Sequence, residues 1–232
     1  MGFVLILFPL LIAGMAALVT SNRLRPWLLP MTATVHLALT LLVLSRPQLS
    51  VTSSWLALDP PGRVILLVLS VLFLLCAVYS VGYLQHRQER SNRVFCVCLL
   101  TFLGVVGLVT WAQHLGLMWV AIEATTLVTA PLIYFNRTER SLEATWKYLL
   151  VGSVGIAMAL LGTFFLAYAS LHQGFTSALT FEDLLQHAPQ LSKPWLHAAF
   201  ILLLVGYGTK MGLAPMHTWK PDAYGEAPGV IG

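Results

Sequence analysis

Two charged side chains sit where charge is expensive. Glu123 lies within the apolar run LGLMWVAIEATTLVTAPLIYF, and Lys210 lies within another that is broken by Gly212 and Pro215. Ionisable residues at membrane depth mark ion pathways, proton relays or buried pairs. Burial favours the neutral form of a lysine, and a nearby carboxylate favours the charged form. A lysine whose distance to a glutamate can change is therefore a proton switch. Gly206, Gly208 and Gly212 surround Lys210, so the backbone beside it can approach neighbours closely and unwind, which is tolerated at membrane depth where the chain is buried or lines a cavity. The structural alternatives are a neutral glutamic acid that ties two helices together and a lysine that snorkels to the interface along its stem.

Lys147 and His217 could extend such a path. Lys147 follows Glu143 at i,i+4 in the favourable order, and a paired interfacial lysine fits as well as a pathway residue. His217, in MHTW beside the expected break, can relay a proton near neutral pH or hydrogen-bond the broken backbone. His36 is a lone histidine in an apolar segment and reads as a packed, hydrogen-bonded residue. Cys96 and Cys98, at i,i+2 on one expected helix, point in different directions and make a poor metal pair. Glycines with phosphate-loop spacing, a CxxC pair and an inferable Ser–His–Asp arrangement are all lacking in the sequence, so no cofactor or metal is expected.

The elements that must hold these residues follow from composition. Hydrophobic residues make up 58% of the chain and charged residues 9%, and the mean hydropathy is +0.81. A soluble domain has about 45–50% apolar and about 25% charged residues, so an all-α polytopic membrane protein is expected. The net charge of +4 sits mostly in short loops, where it sets topology rather than binding nucleic acid. Against the ~20 residues that cross a bilayer, about seven spans are expected, near 2–19, 27–45, 62–84, 94–112, 115–134, 144–169 and from 195 onward, the last discontinuous near Lys210. Residues 1–134 would hold the first five helices. Residues 135–232 would hold the sixth and seventh with a connection over 170–194, where Thr180 and Asp183 outline the cap of a short surface helix bearing Phe181, Leu184 and Leu185. Glu123 falls about nine residues into its helix, or ~13 Å, near the middle of a ~30 Å hydrocarbon core. Trp119, Thr126 and Ala130 share its face by helical spacing.

Arg23, Arg25, Arg87, Arg90, Arg93, Arg137 and Arg140 follow the odd-numbered helices, whereas Arg46, Arg63 and Lys193 follow the even ones. The first set is expected in the cytoplasm, with the amino terminus outside.

The wording of LGLMWVAIEATTL at 115–127, SLEATWKYLL at 141–150 and GTKMGLAPMHTWKPDAYGEAP at 208–228 resembles the proton-antiporter-like membrane subunits shared by respiratory complex I, multisubunit cation/proton antiporters and energy-converting [NiFe] hydrogenases. Within that family it is most similar to the hydrogenase-4 component F branch. YSVGYL at 79–84 extends the likeness to the third helix, and the first two helices agree only in hydropathy. The resemblance implies a Glu123–Lys210 pair in a half-channel for protons, or for sodium, with Lys147 among the polar residues along the path. It implies no redox centre in this chain, partner membrane subunits of a hydrogenase or NADH-dehydrogenase-like complex that carry the electrons, and the plasma (inner) membrane of a prokaryote. A structural subunit or fragment that only docks those partners is one alternative, and a cation/proton antiporter subunit is the other. Two departures stand out. Lys220 occupies a position where the family carries leucine, and the second, inverted set of helices would begin beyond APGVIG, so the chain resembles an amino-terminal half.

Overall fold

The computed structural model describes residues 1–87, 89–174 and 179–232. Helices α1 (Gly2–Leu18), α2 (Leu28–Ser45), α3 (Pro60–Gln85), α4 (Arg93–Trp111), α5 (Leu115–Ile133), α6 (Glu139–Leu171) and α8 (Lys193–Met211) take the expected spans, with a short α7 (Phe181–His187) in the long connection and α9 (Trp219–Glu226) after the last. Among the described residues, five helices are long and apolar enough to cross a membrane, α2 to α6 with their short extensions. The apolar α1 is shorter, at 17 residues, and the 19-residue α8 carries lysines at both ends. Helices prevail because lipid offers no partner to backbone groups, which must then bond within the segment.

Caps set the helix ends. The Asp59 carboxylate accepts from the Gly62 amide at 2.8 Å ahead of α3, with Pro60 and Pro61 in the first turn, where missing amide donors cost nothing. Thr138 and Ser141 form a reciprocal capping box, which starts α6 at Glu139 rather than near 144. At 33 residues α6 is ~50 Å long and overruns the hydrocarbon core. Ahead of α7, Thr180 accepts from the Asp183 amide at 3.3 Å as expected; residues 175–178 of that connection lie outside the described residues.

The stretch 46–61, expected as loop, instead forms a small hairpin of β1 (Val51–Ser53) and β2 (Leu56–Ala57). It covers the α4–α5 turn: the Gln113 amide donates to the Trp55 carbonyl at 2.8 Å, and Gln113 Nε2 to the Ala57 carbonyl at 3.0 Å. Leu179 and Phe181 bond the same turn through Leu115 and Gln113. Both connections at that end thus supply partners to a turn that could not be left bare.

In the bundle, α1 rests on α4, α2 on α3, and α6 on both α5 and α8. His36 is fully buried between α2 and α3, and its Nδ1 lies 3.0 Å from Ser70 Oγ. Just ahead of α2, Arg25, read from sequence as a loop arginine, is 3% exposed. Its guanidinium donates to the Ala16 carbonyl at 3.0 Å, to the Val19 carbonyl, and to Asn22 and Asn92 Oδ1 at 2.8 and 2.5 Å. The charge is thereby held by the carbonyl end of α1. Arg25→Gln, which keeps polarity but loses most of these donors, is expected to destabilise the protein by about 2–3 kcal/mol at roughly 1.5–3 kcal/mol per lost charged hydrogen bond, partly recovered by the amide. Thermal unfolding of the detergent-solubilised protein, followed by tryptophan fluorescence, checks this.

Candidate functional site

Lys210 owes its position to the way α8 ends. Gly212 adopts φ +73°, where only a residue without Cβ is at ease. The Gly212 amide donates to the Thr209 carbonyl at 3.1 Å and the Leu213 amide to the Gly208 carbonyl at 2.8 Å, the paired bonds of a Schellman stop. Trp219, which opens α9, donates Nε1 to the Thr209 carbonyl at 2.9 Å. Helix α8 therefore stops one residue beyond the lysine, and the chain runs irregularly through 212–218 before α9 begins. The expected discontinuity is present, and the cation lies in the last turn, where the helix dipole favours it.

Close contact with α6 brings this last turn against the bundle. A Cβ on Gly206 would lie 2.5 Å from the Ala159 nitrogen and 2.7 Å from the Gly155 carbonyl oxygen, and one on Gly155 would lie 2.7 Å from Thr209 Cβ. Small residues at the crossing let the two backbones touch. Lys210 Nζ then reaches across to α5 and α6, donating to Thr126 Oγ1 at 2.7 Å and to the Tyr148 hydroxyl at 3.1 Å. The Tyr148 hydroxyl lies 2.7 Å from Thr129 Oγ1. A cleft of ≈ 270 Å³ opens onto this group, with Phe102, Thr125, Thr129, Tyr148, Lys210 and Trp219 among its walls.

Glu123 stands one turn from Thr126 on α5, or ~4.5 Å along the axis. Its Oε1 accepts from Ser153 Oγ of α6 at 2.9 Å. Its Oε2 is buried with no hydrogen-bond partner among the described residues. Glu123 and Lys210 form no ion pair within 4.0 Å among those residues, so the lysine sits on the hydroxyl one turn from the carboxylate. The carboxylate thus keeps one oxygen without a partner among the described residues, one turn from the hydroxyl that holds Lys210 Nζ.

The other two candidates stand apart. Lys147 is about half exposed and pairs at 2.7 Å with both Glu143 and Asp222, which ties α9 to α6 at the surface. His217 is exposed on the 212–218 turn, and its ring makes no hydrogen bond among the described residues, so the backbone support considered for it is not seen. Lys220 lays its stem over Gly212. Tyr148, Thr129 and Ser153 are site residues that sequence reasoning passed over. The one signal was a hydroxyl in an otherwise apolar helix, and that signal is shared by Thr145 and Thr163, which merely bond the carbonyl four residues back.

Bilayer-length helices, with a broken one whose lysine reaches hydroxyls on two neighbours, define a polytopic membrane protein with an internal polar site. Residues 112–232 match the family model for the NADH:quinone oxidoreductase/Mrp antiporter transmembrane region, and the chain belongs to that family. It is 34% identical over 244 aligned positions to a hydrogenase-4 component F homolog of Methylacidiphilum infernorum, covering 97% of this chain and 49% of that protein. It is 31% identical to NADH-quinone oxidoreductase subunit N of Desulforudis audaxviator over 82% of this chain and 38% of that one. The chain thus spans half or less of the length of these relatives. A chain of respiratory complex I from Thermus thermophilus superposes with a TM-score of 0.81 over 100% of this chain and 48% of its own, at 24% identity; that likeness establishes the fold.

Proposed function

We propose that this chain is a proton-translocating membrane subunit of a redox-driven complex of the hydrogenase-4 or NADH-quinone oxidoreductase kind, with Glu123 and Lys210 as the acid and base of a half-channel. The observation that carries this reading is the placement of Lys210 on Thr126, one turn from a carboxylate whose Oε2 has no partner among the described residues. Lys210 held by two hydroxyls and Lys210 drawn to Glu123 are two arrangements of one short side-chain movement. They differ in the group that holds the ammonium, hydroxyls in one and a carboxylate in the other. Protons enter along the cleft beside Tyr148 and Trp219, and Tyr148 and Thr129 supply hydroxyls that can accept and donate along the way. Lys147 holds α9 through Asp222 at the rim of this route, and His217 stands on the exposed turn beside it. The excess of loop arginines after the odd-numbered helices supports an amino terminus outside, and the reading puts the chain in the plasma membrane of a prokaryote with the electron-carrying chemistry in partner subunits.

Glu123→Gln keeps the acceptor for Ser153 and removes the charge. It is expected to cut redox-driven proton pumping by about tenfold, the equivalent of ~1.4 kcal/mol of lost influence on the lysine, at unchanged subunit content. Pumping is read with a pH-sensitive dye in vesicles containing the assembled complex. If pumping and complex content fell in parallel, the chain would be a docking subunit and its buried charges structural. Normal pumping in the variant would remove Glu123 from the path.

A further inference from the structure

We propose that the arginine-lined recess between the α3–α4 and α5–α6 connections is a binding site for the headgroup of an anionic phospholipid. Helices α3 and α5 end here and α4 and α6 begin here, so the recess lies at one end of the bundle, where the bilayer surface must be. Its volume is ≈ 380 Å³, and Arg90, Ser91, Val94, Pro131, Tyr134 and Arg137 line it.

The charge is organised. Arg90 spends Nη1 on the carbonyls of Phe135 and Asn136, at 2.9 and 2.8 Å, which fixes its guanidinium between the two connections and leaves its remaining donors for another acceptor. Arg87 is held next to it by Asn136 Oδ1 at 2.8 Å. Arg137 is exposed and makes no side-chain hydrogen bond among the described residues. None of the three forms an ion pair within 4.0 Å among those residues. Glu89 neighbours Arg90 in sequence and Glu139 follows Arg137, yet neither pairs with these arginines within 4.0 Å among the described residues, and guanidinium forks left so match the oxygens of a phosphodiester.

The rest of the lining distinguishes a lipid from a free anion. Val94 is 50% exposed and Tyr134 36%, and Pro131 is exposed beside them. These apolar groups belong to the terminal turns of α4 and α5 and the turn after α5, where acyl chains would begin. A soluble phosphate has no use for that wall. Basic pockets between transmembrane helices at the membrane surface take such headgroups, and two phosphates on one glycerol bridge would span Arg90 and Arg137 together. The site is independent of the proton path and stands or falls by itself.

The test uses the full-length protein in its assembled complex, exchanged into phosphatidylcholine nanodiscs doped with cardiolipin, with retained lipid counted by native mass spectrometry after release into detergent. Arg137→Asn removes the charge, and asparagine accepts the left-handed backbone of this position (φ 53°). It is expected to lower cardiolipin retention about fivefold without changing phosphatidylcholine retention, and the double variant with Arg90→Gln is expected to abolish it. Arg46→Gln, an exposed arginine at the opposite end of the bundle, should have no effect. Unchanged retention in Arg137→Asn would overturn the proposal, as would an equal loss in Arg46→Gln. Complete displacement of cardiolipin by inorganic phosphate would reduce the recess to a soluble-anion site and overturn the lipid assignment.

Discussion

Lys210→Ala is expected to lower redox-coupled proton pumping more than about twentyfold, a barrier increase of about 1.8 kcal/mol or more at 1.36 kcal/mol per decade, while the complex still assembles. Assembly should persist because the groups released are hydroxyls with other partners: Tyr148 keeps Thr129 at 2.7 Å, and Thr126 can turn to the Ile122 carbonyl at 3.5 Å. Neither is left as a buried unpaired charge. Pumping should fail because no other protonable nitrogen is hydrogen-bonded to this hydroxyl group among the described residues. Lys147 is tied to Glu143 and Asp222 at the surface. Tyr148→Phe offers a finer reading. It removes one of the two hydroxyls that hold Lys210 away from Glu123 and cuts the link to Thr129, so it should slow pumping severalfold without abolishing it. Pumping is followed by dye quenching in vesicles, electron transfer is assayed in the same preparation, and subunit content is checked by immunoblot. Pumping at the wild-type rate in Lys210→Ala would take the lysine out of the mechanism.

How much of this was legible in the chain depends on which force fixed each feature. Hydropathy fixed the long helices, and their observed ends fall within one or two residues of the expected ones except at α6. There the Thr138–Ser141 box uses serine where glutamate or glutamine is the usual third residue, and the start was read too late. The break after Lys210 was legible because Gly212 and Pro215 have few other uses inside an apolar run. The partners of Lys210 were not. A serine or threonine in an apolar helix can bond back to its own backbone or reach a neighbour, a tyrosine hydroxyl can reach any of several neighbours, and only the rotation of α6 against α5 and α8 chooses between them. That rotation depends on backbone contact at Gly155 and Gly206, which periodicity does not encode. Arg25 shows the same gap: its charge suits a loop, yet the carbonyl end of α1 and Asn92 bury it. The Lys147–Asp222 pair, 75 residues apart in sequence, appears only once α9 has folded back onto α6.

The contact at Gly206 leads to the second large effect. Gly206→Val is expected to destabilise the protein by about 3 kcal/mol or more, at the upper end of the usual cost of overpacking, and to abolish pumping with it. The atoms an added Cβ would meet, at 2.5 and 2.7 Å, are the backbone nitrogen of Ala159 and the backbone oxygen of Gly155, and backbone within a helix cannot rotate aside as a side chain can. Helix α8 must then move away from α6, and Lys210 Nζ moves with it from Thr126 and Tyr148, whose bonds of 2.7 and 3.1 Å leave little slack. Gly14→Ala is the control, because a Cβ there meets nothing within 4 Å and alanine favours the helix by about 1 kcal/mol; it should be neutral or stabilising. A milder pair separates packing from chemistry. Gly206→Ala should be partly rescued by Ala159→Gly, since the Ala159 Cβ, 2.7 Å from the added group, is the one obstacle that substitution can remove. Thermal unfolding in detergent reads the stability, and dye quenching in vesicles reads the pumping. Normal stability in Gly206→Val would mean that α8 is not held by this crossing, and the position of Lys210 would need another cause.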